Sequence, residues 1–176
     1  MSDQYVVKQR ALEFGAEYAR QKGIAGARID AQPRPVSPFN WTVFVSDETA
    51  HRLAHVNLVR KEAKPYQPGD GFIARVDSPY LPLEQAVWTT RTRYGETDQA
   101  FIRAAWEAPP FAFFRWFAEL PALDGRTSGP DCAWFVDLRF DTPGRPILPF
   151  QYGVCRDTAS GAWRVFNREQ PGMPVR

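Results

Sequence analysis

The sequence predicts an α+β fold: a mostly antiparallel sheet of six or seven strands, packed by one long N-terminal helix and two shorter helices. Three stretches carry that prediction. Asp131 to Asp141, DCAWFVDLRFD, places Cys132, Trp134, Val136, Leu138 and Phe140 on one face, while Ala133 and Phe135 on the other give way to Asp137, Arg139 and Asp141. That is the pattern of a central strand covered on both sides at its start. NWTVFVS (residues 40–46) and RLAHVNLVR (residues 52–60) alternate and are rich in β-branched and aromatic residues, which predicts an antiparallel hairpin. Asp3 to Lys22 spaces Val7, Ala11, Phe14 and Tyr18 at helical intervals, sets Lys8, Arg10, Glu13, Glu17 and Arg20 opposite, and meets Gly23 as a stop.

The remaining elements follow in order. Residues 23–30 read as a loop, and QPRPVSP (residues 32–38) as a stiff extended connector, because each proline fixes φ and removes a donor. KPYQPGDG (residues 64–71) is turn chemistry, and Phe72 to Asp77 reads as a short strand. Leu81 to Arg93, with Pro82 near its start, and Thr97 to Glu107, with Thr97 as N-cap, read as the two shorter helices. FAFFRWFAEL (residues 111–120) has aromatics at nearly every position; a buried strand is favoured, with a helix as the alternative. The strand at 131–141 is followed by strands at Leu148 to Arg156 and Ala162 to Phe166, then by a frayed tail. As domains, this makes residues 1–30 a helical stem with its loop, residues 31–170 one sheet domain and residues 171–176 the tail.

Composition narrows the function classes. A net charge of +2, with 22 Lys and Arg spread along 176 residues, lacks the basic footprint of nucleic-acid binding. The longest apolar run, Cys132 to Val136, falls far short of the roughly 20 residues of a membrane helix. MSDQYVVKQR also lacks a signal-peptide core, so the chain as given is expected to be soluble and cytoplasmic. Cys132 and Cys155 form no CxxC pair and are expected as buried reduced thiols, with a disulfide between neighbouring strands as the alternative.

Nucleotide-binding and hydrolase signatures such as GxSxG, Walker loop, GxGxxG and HExxH are absent from the sequence. The candidates for chemistry are therefore single residues. Asp137 and Arg139 on one strand face, like Arg75 and Asp77 earlier, are expected to form ion pairs, with a ligand-binding or catalytic role as the alternative. His51 and His55 stand four apart on a predicted strand, a span of about 13 Å that cannot serve one metal. No metal and no cofactor is assigned to this chain.

Several stretches taken together resemble a known family. QPRPVSPFNWTVFV with HVNLVR, then WFAELP, CAWFVDLRF, PGRPILPFQYGVCR and AWRVF, are similar to the soluble C-terminal region of bacterial YdjM-like membrane-bound metal-dependent hydrolases. The resemblance implies a hydrolase label and, for a longer protein, an inner-membrane address on the cytosolic face. It places the divalent-metal motif among N-terminal membrane helices that this chain does not contain, so no catalytic residue carries over. The partner so implied is the membrane-embedded part of the same or a related protein.

Three functional expectations follow. The first is a non-catalytic cytosolic domain that regulates the membrane part or holds a ligand or partner. The second is a free-standing hydrolase-like enzyme with a pocket around Asp137, Arg139 and His55. The third is an interaction module docking through the helix at 3–22, for which a homodimer is the simplest assembly.

Overall fold

The computed structural model describes residues 3–145, 147–170, 172, 174 and 175. The chain forms two compact units, Met1–Arg91 and Thr92–Arg176, within an α+β fold whose strand pairing is mostly antiparallel. The strands divide between two sheets, of five and four strands.

The first unit is a helix laid on a sheet. Helix α1 (Asp3–Gln21) buries Ala11, Gly15 and Ala19, one small residue per turn. The reason is closeness: a Cβ on Gly15 would come within 2.7 Å of Val43 and 2.8 Å of Ile29. Strands β1 (Arg28–Pro33), β2 (Asn40–Ser46) and β3 (Ala50–Asn57) pair antiparallel in sequence order. The β2–β3 hairpin is present as expected. Its β1 neighbour takes in the start of the proline-rich connector, since a strand can end on a proline whose missing donor faces no partner. Ala31, Trp41, Val43, Ala54 and Val56 form the core with Ala11, and Phe14 and Tyr18 stack on Trp88 at 5.6 and 3.8 Å. The apolar face of α1 is thus taken up inside this unit.

Two readings in this unit are corrected. Residues 72–77 form a short helix, α2 (Phe72–Asp77), because only Val76 is buried there and six residues cannot display a period. Residues 81–93 are not helical. Pro82 belongs to β4 (Leu81–Pro82), which runs parallel to the end of β3, residues 83–85 make a 3₁₀ turn, and Thr89–Thr92 pairs with β3 as strand β5. The β-branched Thr89, Thr90 and Thr92 outweigh the apparent helical spacing.

The second unit is an antiparallel meander of β6 (Pro121–Ser128), β7 (Asp131–Asp137), β8 (Tyr152–Arg156) and β9 (Trp163–Asn167). Helices α3 (Gln99–Glu107) and α4 (Ala112–Phe117) belong to the same unit. Its core is aromatic: Trp106, Phe111, Phe114 and Phe135 meet at centroid distances of 4.8 to 6.1 Å. On β8, Gly153 lies directly under the Trp134 indole, which a Cβ there would strike at 2.7 Å.

Here the favoured strand at 111–120 is corrected to a 3₁₀ turn and α4. Phe114 points inward while Trp116 is 89% exposed, a segregation that a buried strand would not produce. The central strand stops at Asp137, and Leu138–Phe140 turns as a 3₁₀ helix. The next strand starts at Tyr152 instead of Leu148. Cys132 and Cys155, opposite one another across β7 and β8, are joined as a disulfide with Cα atoms 4.0 Å apart, so the alternative reading replaces the reduced thiols. Of the expected tail, Pro171, Met173 and Arg176 lie outside the described residues. Pro174 bridges Phe166, and the Val175 N–H donates to the Val165 carbonyl.

Candidate functional site

The residues singled out from sequence fall into both units. Asp137 ends β7 in the second, with its side chain fully enclosed. Its Oδ1 accepts from the Arg139 backbone N–H at 3.0 Å, and its Oδ2 accepts from Arg139 Nε at 2.9 Å, Arg139 Nη2 at 2.7 Å and the Glu119 N–H at 3.1 Å. Arg139 also donates to the Phe117 carbonyl, pairs with Glu119 at 3.0 Å and lies against the Phe117 and Phe140 rings. The 3₁₀ turn after β7 brings the guanidinium back onto the carboxylate two residues earlier. The pair therefore latches the end of β7 to the segment that follows α4.

His55 belongs to the first unit. On β3 it stands opposite Thr42, whose hydroxyl lies 2.8 Å from His55 Nδ1 and accepts from Arg34 Nε at 2.7 Å. Burial, reinforced by the Arg34 charge, pushes the His55 pKa down to about 4. His51 makes a similar contact four register positions away, with Ser46 Oγ 2.7 Å from its Nδ1. Among the described residues no three His, Cys, Asp or Glu side chains group to hold a metal ion.

A cleft of about 620 Å³ opens where β2 begins and β3 ends. Asn40 and Asn57 face each other across the hairpin, and Asn57 Nδ2 donates to Asn40 Oδ1 at 2.7 Å. Asn40 Nδ2 donates in turn to Asp77 Oδ1 at 2.7 Å, and Asp77 Oδ2 accepts from Arg60 Nη2 at the same distance. Arg60 Nη1 reaches the Tyr80 carbonyl at 2.8 Å. Asn57 Oδ1 accepts the backbone N–H groups of Val59 and Arg60, fixing the chain as it leaves the sheet.

This relay of amide, carboxylate and guanidinium forms one wall of the cleft, and Val36, Ser37, Phe39, Val59 and the segment 61–64, with Lys61, Glu62 and Lys64, line the rest. Val36 has φ +80°, a left-handed conformation that costs a β-branched residue energy and is held by its surroundings. A second cleft, of about 420 Å³, shares Val59, Arg60 and Lys61 and adds Arg10 and Pro82. The arrangement is suited to binding: Arg60 and Asp77 are paired with one another, and the exposed Lys61, Glu62 and Lys64 add charge of both signs to the lining.

Family models, curated proteins and solved structures give no match to this chain. Among the described residues, no helix is long and apolar enough to cross a membrane.

The cleft was not anticipated from sequence. Its key pair joins residues 17 apart across a turn-rich segment, and with 72–77 read as a strand Asp77 had Arg75 as its natural partner. Arg75 instead lies over the Phe72 ring. The available signal was NLVRK at a strand end followed by an Asp-Ser-Pro turn, a place where a buried Asn commonly caps departing backbone.

Proposed function

We propose that this chain is a non-catalytic cytosolic domain that works with a membrane-embedded hydrolase-like part and binds a ligand or partner. The hydrolase association rests on the resemblance of residues 31–60 and of the later Pro, Trp and Asp-Leu-Arg stretches. The observation that supports a non-catalytic role is the enclosure of Asp137: its side chain is fully enclosed, with three donors on Oδ2 and the Arg139 N–H on Oδ1. A general base must be within reach of substrate, and this enclosed carboxylate is not. Binding is assigned to the first unit, at the cleft framed by Asn57, Arg60 and Asp77.

The test is an immunoblot of fractionated native cells. A band well above 20.1 kDa in the membrane fraction is expected. A soluble band at 20.1 kDa would overturn the association with a membrane part.

A further inference from the structure

We propose that the Cys132–Cys155 disulfide is a reversible switch, opened by a dithiol reductant, that sets how firmly β7 is held to β8. The proposal rests on the cytosolic reading given above, since a disulfide in a reducing compartment is usually transient or redox-sensing and not a permanent staple.

The sequence contains two cysteines and no third that could exchange with them. Register sets them directly opposite one another as the outermost pair of the β7–β8 ladder, which runs only from Cys132–Cys155 to Phe135–Tyr152. The ladders on either side are longer, from Pro121–Asp137 to Ser128–Asp131 and from Tyr152–Asn167 to Arg156–Trp163. The bond therefore ties the shortest seam of the meander. It also closes residues 133–154 into one loop, the Asp137–Arg139 latch included.

The position of the bond allows it to open. Ala133, Phe135, Val154 and Val165 belong to the aromatic core, so alternation turns Cys132 and Cys155 to the opposite face of the sheet. Opening the bond there leaves the core cluster in place. Cys155, 5% exposed, lines a cleft of about 510 Å³ with Pro130, Asp131, Arg156, Arg164 and Phe166, whereas Cys132 is fully buried. An incoming thiolate is thereby directed to Cys155 Sγ. It forms a mixed disulfide there, and Cys132 leaves as a thiolate that takes up a proton. The second thiol of the reductant then attacks its own sulfur in the mixed disulfide and releases Cys155, which is protonated in turn. The dithiol loses two electrons and two protons to become a cyclic disulfide, and the protein gains both as two thiols.

The test uses the purified, oxidised full chain, without denaturant, in a buffer of reduced and oxidised dithiothreitol set to the cytosolic potential. Thiols are trapped with a maleimide and counted by mass, and amide hydrogen exchange is followed in both states. Both cysteines should be labelled with circular dichroism unchanged, and oxidised glutathione should restore the bond. With 23 residues between the cysteines, reduction should speed exchange in β7 and β8 by roughly a hundredfold while β2 and β3 keep their rates. Cys132→Ser with Cys155→Ser should exchange like the reduced chain and ignore dithiothreitol. The wild-type measurement decides by itself if that variant does not fold. Labelling only after denaturation, or loss of circular dichroism on reduction, would make the bond a permanent staple and overturn the proposal. Unchanged exchange in the fully reduced chain also overturns it, since the bond would then govern nothing. Native fractionation reports the address of the chain and labelling the behaviour of the bond, so one can fail without the other.

Discussion

Each unit contains an Asp–Arg pair with a carboxylate to Nη2 distance of 2.7 Å, yet the two pairs sit in different surroundings. Asp137 is fully enclosed and its four donors come from two neighbouring segments. Asp77 is 17% exposed, borders a cleft and relays its second oxygen to Asn40. The same two functional groups thus make a latch in one place and a wall of a binding cleft in the other. What separates them is solvent and the number of fixed donors, neither of which is encoded in residue type.

The comparison breaks most sharply at Asp137. Asp137→Ala leaves the Arg139 guanidinium without its buried carboxylate and the Glu119 N–H without its acceptor. Removing one partner of a buried pair costs about 3–5 kcal/mol. Urea unfolding should show a loss of that order. A loss near zero would mean that the pair is solvated and free for chemistry, which would revive the enzyme reading.

Legibility from sequence follows the same division between local and long-range causes. The β2–β3 hairpin, α1 and the core of β7 were readable because alternation and helical spacing are written over seven or more residues. The short elements were not: α2 and α4 span six residues each, and their identity depends on which side chain finds the core. In α1 the pattern drew attention to Val7, Ala11, Phe14 and Tyr18, whereas the tightest contact is the stripe Ala11, Gly15, Ala19, chosen for close approach and not for apolarity. Asp137 with Arg139 was legible as a pair, being two residues apart, but not the turn that closes it. Asn57, Arg60 and Asp77 were invisible as a site because their partnership depends on the path of residues 61–71.

A smaller effect, of opposite electrostatic logic, belongs to His55. Its folded pKa of about 4 lies below the ordinary 6.5, so as pH falls the unfolded chain takes up a proton before the folded one does. The stability it contributes is whole above pH 6.5 and is lost progressively down to about pH 4, by roughly 3 kcal/mol in total. Urea unfolding at stepped pH measures this. His55→Gln should flatten the slope in that window, and an unchanged slope would place the titrating group elsewhere.

The smallest effect expected is at Asp77. Asp77→Asn keeps an oxygen for the Asn40 amide but turns an NH2 toward Arg60, which loses the charge and the acceptor and retains the carbonyl of Tyr80 beside the cleft. With side chains 8% and 17% exposed the pair is largely shielded, and its loss should cost about 1.5 kcal/mol, the low end for a hydrogen bond to a charged group. The loss should also shrink as salt is raised, since water and ions reach the cleft. Measured beside Asp137→Ala in the same urea titration, a cost for Asp77→Asn of half or less of the other supports the distinction between latch and wall. Equal costs would show that Asp77 is as enclosed as Asp137 in solution, and the cleft would then have no claim to be a binding site.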